Sequence, residues 1–391
     1  MSKDELTVVD LLIEMISHNT VNEHTSGVHF PEQGMLESLE RISQSWGLKT
    51  ARLPVAAYPK DQSYNLLITY EVSKSAPWLV FESHADTVSI DGMTVDPLKC
   101  LIKDGLIYGR GACDTKGSGA GILTALREYA KDASRPNNIA VIFVTDEEIS
   151  KAGANAFVQR QLKDLGWEPV AVIVGEPTSS KPVVAHNGVI RWKIRTQGVA
   201  AHSSNPSNGK SAISAMAKLV LAFEKEYCSK LTLTHSLTGK AVCSVNTISG
   251  GTAVNIIPNF CEIEIDRRTL PGEDSAQVLK DIQAVLDSIA KSDPSIVIET
   301  LPPFVDYQLD PKVNQKLSAQ ISEILIGMGL SGEQSGAGYG TDASTYSVAG
   351  IPAVVLGPGS VDQAHTKNEW LDIAELEKSV EMYLQIMKFG F

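Results

Sequence analysis

PWLVFESHADTV, residues 77–88, is an apolar run that stops on a histidine and an aspartate two positions apart. Its length suits a buried strand and is short for a helix. Side chains two apart in an extended segment share a face, so His84 and Asp86 point the same way. One can hold a metal ion while the other accepts a hydrogen bond from the imidazole's second nitrogen. A turn with a satisfied histidine is the plain alternative.

The same arrangement recurs outward from this stretch. NIAVIFVT (138–145) leads into Asp146-Glu147-Glu148, and VAVIVG (170–175) leads into Glu176. IPAVVLG (351–357) leads through GPGSVDQ to His365. GRGACDTKG carries Asp114 and opens a helical stretch, GSGAGILTALREYAKD. Its glycines match neither GxGxxG nor a Walker A loop, so Asp114 either caps that helix or bridges cations. Three consecutive acids after an apolar strand are costly unless they face a metal or cations. Ligands in open α/β sheets bind beyond the carboxyl ends of the strands. One shared site explains five such segments better than five coincidences.

Apolar runs alternate with helical periods at 5–17, 117–132 and 153–166. This predicts an α/β fold, a mostly parallel sheet covered by helices on both faces. The middle differs. Strand-like 189–198, 241–251, 260–269 and 295–301 surround helical stretches from Ser211 and from Asp274. Strand–helix–strand–strand–helix–strand is the ferredoxin-like α+β order. From about 303 helix–strand alternation resumes, with helical stretches at 312–329 and 373–388. The expected organisation is a metal-binding catalytic domain, 1–186 with 303–391, interrupted by an inserted domain at 187–302.

The 391 residues exceed one ordinary domain. The net charge is −12 with no basic stripe, which argues against nucleic acid as a partner. No apolar run approaches the ~18–20 residues of a membrane span, and the acidic start MSKDELTVVD is unlike a secretory signal. Five cysteines without a CxxC pair suggest a reducing cytoplasm rather than a disulfide framework. Cys113 reads as a small packed residue beside Asp114.

Carboxylates with two histidines and no sulfur ligand suit Zn²⁺ or a similar first-row ion. A carboxylate left over beside a ligand can serve as a general base. A bare metal-binding protein would have no use for that surplus. A phosphate binder built on GRGACDTKG would suffer repulsion from the neighbouring acids. In the insert, His202 (GVAAHSSNP), Asn255 (AVNIIPN) and Arg268 (EIDRRTLP) are candidates for contacting substrate. A guanidinium can clamp a carboxylate and an imidazole can stabilise an oxyanion. Equally, Arg267 and Arg268 can form ion pairs on a sheet surface.

Together these segments resemble the di-zinc metallopeptidase family of acetylornithine deacetylase, succinyl-diaminopimelate desuccinylase, aminoacylase-1 and carboxypeptidase G. The resemblance runs from about residue 6 to 388. The family's H-x-D appears as His84-Ala85-Asp86, its G-x-G-x-x-D as Gly109 to Asp114, and its paired glutamates as Glu147-Glu148. Glu176 and His365 complete the series. The resemblance implies a zinc held by His84, Asp114 and Glu176, and a second held by Asp114, Glu148 and His365. Cobalt can stand in for zinc. It also implies Glu147 as general base, Asp86 as orienter of His84, and His202 reaching a neighbouring subunit's site across a homodimer formed by the inserted lid domain. Asn255, Arg268 and Thr341 would contact an N-acyl amino acid or short peptide. VVAHNGVI, GPGSVDQAH and GTDAS look most like the acetylornithine deacetylase branch. Two positions depart from it: H-T-D reads His84-Ala85-Asp86, and T-E-A-P reads Thr341-Asp342-Ala343-Ser344.

Overall fold

The computed structural model describes residues 6–55 and 62–391. The first residues of the predicted 5–17 helix and of the MSKDEL start lie outside them. The helix is Val8–Ile16, shorter than predicted: Thr7 caps its start in a reciprocal capping box with Asp10, and Ser17 ends it.

The chain divides into two compact units. One comprises the chain up to Val184 with Pro311–Ser335 and Thr341–Phe391; the other is Ala185–Asp310 with Gly336–Gly340.

The first unit is a helix-covered sheet. In spatial order the strands that lie wholly within this unit are Lys49–Pro54, Tyr64–Tyr70, Asn138–Val144, Trp78–His84, Ala171–Val174 and Ala353–Val355. The last four run parallel, while Lys49–Pro54 and Tyr64–Tyr70 pair antiparallel on one side. Asn138–Val144 is buried at every position, as a strand covered on both faces must be. Parallel pairing brings the carboxyl ends of these strands to one edge. The register is specific: His84 lies opposite Val144, and Glu82 opposite Val174. Two residues further on, Asp146 therefore lies level with Asp86, and Glu176 level with His84.

Helix Lys116–Lys131 is buried throughout its first three turns, and its GSGAG start permits close approach to the sheet. Gly175 meets it there. A Cβ on Gly175 would lie 2.9 Å from Ser118 Cβ and 3.1 Å from the Glu82 carbonyl oxygen, so a side chain would force Glu176 away from the helix. The predicted single helix at 153–166 is instead three pieces: Ala152–Ala156, a π-turn at Phe157–Gln161, and Leu162–Leu165. Apolar period alone does not distinguish a π-turn from an α-helix. Helix Gln33–Ser45 and the three-stranded sheet of Leu101–Lys103, Leu106–Tyr108 and Trp370–Asp372 complete the elements around the site.

The second unit is antiparallel, with strands in the order Val242–Gly250, Phe260–Thr269, Gly188–Gln197, Val297–Thr300. That is the ferredoxin-like order. Ile190, Trp192, Ile194, Ile263 and Ile265 form one core with Met216, Leu219 and Phe223 of helix Ala212–Glu226 and Ile282 and Leu286 of helix Ser275–Ser292. The opposite face is a charged ladder: Arg191–Asp266 at 2.9 Å, Lys193–Glu264 at 2.7 Å and Arg195–Glu262 at 2.7 Å. No helix among the described residues is long and apolar enough to cross a membrane.

Candidate metal centre

The edge where the parallel strands end gathers His84, Asp114, Glu147, Glu148, Glu176 and His365 in the first unit. Asp114 sits between the two histidines. One carboxylate oxygen lies 3.0 Å from His84 Nε2 and the other 3.2 Å from His365 Nε2. His365 Nε2 is also 3.2 Å from Glu148 Oε1, and His84 Nε2 is 3.8 Å from Glu176 Oε1. His84, Asp114 and Glu148 present ligand atoms within 4.8 Å of one another, and so do His84, Glu147 and Glu176.

This donor set fits divalent metal. Ligands about 2.0–2.1 Å from a tetrahedral ion stand roughly 3.3 Å apart, the spacing seen here. Imidazole and carboxylate oxygen are suitable donors. His84 Nδ1 donates to the Asp86 carbonyl oxygen at 2.9 Å, which leaves Nε2 to face the ion. The Asp86 carboxylate is 3.6 Å from that same Nδ1 and is engaged elsewhere. It accepts the backbone N–H groups of Glu147 at 3.0 Å and Glu148 at 3.2 Å. Asp86 thus fixes the histidine mainly through its backbone, and the acidic loop through its side chain.

Five non-glycine residues in or near these loops have left-handed backbones: Asp146 at φ +60°, Lys151 at φ +55°, Ser179 at φ +52°, Ser180 at φ +56° and His365 at φ +59°. Such conformations concentrate where a site over-determines the chain. Lys151 binds the acidic loop to the segment after Gly340. Its ammonium donates to the Thr341 carbonyl oxygen at 2.6 Å and lies 3.4 Å from Ser344 Oγ. Thr341 is itself buried, and its hydroxyl accepts the Ala343 N–H at 3.2 Å.

Burial pushes Glu148 up and Glu176 well up from their ordinary values, and Asp114 adds to the rise at both. Glu147 keeps some exposure, yet its desolvated carboxyl is pushed up to about 8. Burial also opposes charge on His84, but hydrogen bonds to Asp114 and Asp86 hold it well above the usual imidazole range. Asp114 and Glu148 push His365 up to about 10. Without metal the two histidines hold protons, and a metal must displace them. Proton release on binding makes apparent metal affinity rise with pH between about 6 and 9, by up to about tenfold per unit for each proton released. Chelator competition at several pH values checks this; an affinity that does not vary with pH refutes the reading of the ligand protonation.

Further buried charges escaped the sequence reading. Arg110 and Glu369 form a buried pair at 2.6 Å. Glu369 also accepts the N–H groups of Gly111, Cys113 and Asp114, so it shapes the loop that presents Asp114. Asp342 is fully buried with neither carboxylate oxygen hydrogen-bonded, and burial raises its pKa well above the usual value. Arg110 stands inside the quoted GRGACDTKG and Glu369 four residues beyond His365; what was missing was any sign that they meet.

The insert candidates lie in the second unit. His202 is exposed, on a two-residue strand that pairs with Ile256–Ile257. Its Nδ1 faces Ser204 Oγ at 2.8 Å. The Ser203 N–H donates to the Asn255 carbonyl oxygen at 3.0 Å, so His202 and Asn255 share one corner. Arg267 and Arg268 separate by strand parity. Arg267 is buried on Glu273 at 2.7 Å, whereas Arg268 lies on the charged face with Asp266 at 2.8 Å. Both arginines form ion pairs, Arg268 on the sheet surface and Arg267 buried beneath it.

Peptidase family M20/M25/M40 matches residues 80–388. An acetylornithine deacetylase from Buchnera aphidicola subsp. Schizaphis graminum is 30% identical over 347 residues, covering 84% of each chain. Among solved structures, a tripeptidase from Staphylococcus aureus superposes with a TM-score of 0.75 at 22% identity, covering 99% of this chain and 98% of that one. A dinuclear metal-binding peptidase of family M20 from Bacillus subtilis superposes with a TM-score of 0.72 at 17% identity, covering 97% and 96%.

Proposed function

The chain belongs to peptidase family M20/M25/M40 and is a metal-dependent hydrolase; from that premise we propose that it is a two-zinc amidohydrolase acting on N-acyl amino acids, with N2-acetyl-L-ornithine as its best-fitting substrate. The observation that carries the reading is one carboxylate, Asp114, shared by two imidazoles beside the surplus acid Glu147. His84, Asp114 and Glu176 would hold one ion, and Asp114, Glu148 and His365 the other.

Bound ions would polarise the amide carbonyl and acidify a water. Glu147 takes the proton from the attacking water and delivers it to the leaving amine nitrogen. Asp86 keeps Glu147 and Glu148 at fixed distance from His84 through the two backbone N–H groups it holds. We assign His202 to the developing oxyanion, reaching a neighbouring subunit's site, and Asn255 and Arg268 to substrate recognition. For Arg268 this requires exchanging Asp266 for the substrate α-carboxylate. The inserted unit would serve as lid and dimer interface. Its edge strand Val242–Gly250, paired on one side only among the described residues, exposes Val242 and Ile248, which supports an interface role. A monomer by sedimentation would remove the trans role of His202. Five free cysteines suit a cytoplasmic enzyme.

The substrate reading draws on a cavity of about 330 Å³ that includes Asp146, the neighbour of Glu147. Glu23 and Glu32 line it as well, alongside His24, His29 and Phe30. Glu23 offers a carboxylate suited to the ammonium of an ornithine side chain, whereas burial pushes Glu32 up to about 8 and leaves it largely neutral at pH 7. A short-peptide substrate is the second reading, favoured by the likeness to the tripeptidase. Metal-loaded protein should be assayed on N-acetyl-ornithine, N-acetyl-methionine, N-succinyl-diaminopimelate, and di- and tripeptides. The expected result is a preference of about tenfold or more in kcat/KM for N-acetyl-ornithine over N-acetyl-methionine, one charge contact contributing about 1.4 kcal/mol or more. Faster turnover of peptides would replace deacetylation by peptidase activity, and loss of all turnover after chelation, restored by Zn²⁺ or Co²⁺, is common to both.

A further inference from the structure

Cys228 opens the short turn Cys228–Lys230 that follows helix Ala212–Glu226, and Cys243 is the second residue of strand Val242–Gly250. The sheet register places Cys243 opposite Arg267, so the two side chains share a face. The Arg267 guanidinium reaches back to the Tyr227 hydroxyl at 3.2 Å, the residue before Cys228. Both cysteines pack against the same apolar core, and their thiols hydrogen-bond to each other. Both are free and partly exposed, unlike the buried Cys113 and Cys261.

We propose that Cys228 and Cys243 are a reversible dithiol–disulfide site, oxidised by small disulfides of the glutathione class. The pair is chemically asymmetric. The hydrogen bond from Cys243 lowers the Cys228 thiol below its ordinary value. The same contact, with burial, raises Cys243. Cys228 is therefore the attacking thiolate. It attacks one sulfur of the small disulfide, breaks its S–S bond and releases one thiol. Cys243 then gives up its proton, and its sulfur attacks Cys228 Sγ. That step forms the intramolecular S–S bond and releases the second small thiol. Two protein thiols lose two electrons, and one disulfide gains them as two thiols. The product ties the end of helix Ala212–Glu226 to the sheet's edge strand, closing the segment that contains the hairpin Thr234–His235/Gly239–Lys240.

The test is incubation of the full chain with glutathione disulfide, followed by alkylation, trypsin and mass spectrometry without reductant. The intact mass should fall by about 2 Da for two hydrogens lost. Peptide 226–230 should appear linked to 241–267, with fragmentation assigning the bond to Cys243 rather than Cys261. Dithiothreitol should reverse it. Cys243→Ser should instead leave a stable glutathione adduct on Cys228, and Cys261→Ser should keep the link. Separate adducts on both cysteines of the unsubstituted chain, unreacted thiols, or disulfide-linked dimers on a non-reducing gel would each overturn the proposal.

Discussion

Glu147→Gln should lower kcat by up to about 10,000-fold, the upper end of what a positioned acid–base group contributes, with two metal ions per chain retained. The upper end is expected because one carboxylate serves both proton transfers. The substitution is nearly isosteric and touches no backbone contact. The Glu147 N–H still reaches Asp86, so the loop and its neighbour Glu148 keep their places. Gln offers no basic oxygen to an attacking water.

The metal measurement decides between two roles that geometry alone leaves adjacent. Glu147 also stands among the possible ligands, grouped with His84 and Glu176. If it ligates, Gln weakens one site and metal content falls toward one ion. If it is the base, metal content holds while turnover collapses. Wild-type turnover in the variant would refute both. Its desolvated carboxyl, pushed up to about 8, points the same way: a group so close to neutrality can both take and return a proton. Nearby bound cations would pull that value down and keep the base ionised.

What sequence made visible here follows from strand direction. An apolar run marks a strand, and a polar residue directly after it marks the strand's carboxyl end. Parallel pairing then carries His84, Asp146 to Glu148, and Glu176 to one edge without further information. Asp114 and His365 arrive by loops, and their convergence was argued from the recurrence of five such segments and from motif resemblance. Helix Gln33–Ser45 was passed over; its first turn contains a glycine, and no side chain caps its start. Contacts between buried charges and distant partners left no local signal. Arg110 and Glu369 are 259 positions apart, and Lys151 and Thr341 are 190 apart. Parity did carry information that was not used. Along Phe260–Thr269 exposure alternates strictly, so Arg267 and Arg268 had to face opposite sides, and only Arg268 could meet a ligand at the polar face.

Arg110→Leu should destabilise the protein by about 3–5 kcal/mol, the usual consequence of leaving one member of a buried ion pair behind. Arg110 is 4% exposed and Glu369 0%. The guanidinium also donates to the Ser89 carbonyl oxygen at 3.0 Å, so its loss leaves a second acceptor unpaired. At roughly 2–4 °C per kcal/mol for a large unit, the midpoint of thermal unfolding should fall by about 6–20 °C. The pH dependence has a definite sign. Burial already raises the Glu369 carboxyl, and Arg110 opposes that rise. Without Arg110 its folded-state pKa climbs further above the unfolded value. A raised carboxyl penalises the ionised form, so the deficit is largest at alkaline pH and shrinks as the group protonates. Arg110→Leu/Glu369→Leu removes both charges, and should recover part of the loss in stability. It should not recover metal affinity, because the N–H groups of Gly111, Cys113 and Asp114 lose their shared acceptor and the loop presenting Asp114 relaxes. Thermal melts at several pH values together with metal titration separate the two effects. A single variant within about 1 kcal/mol of wild type would show that the pair behaves as an exposed one, and that Glu369 organises the loop without its arginine.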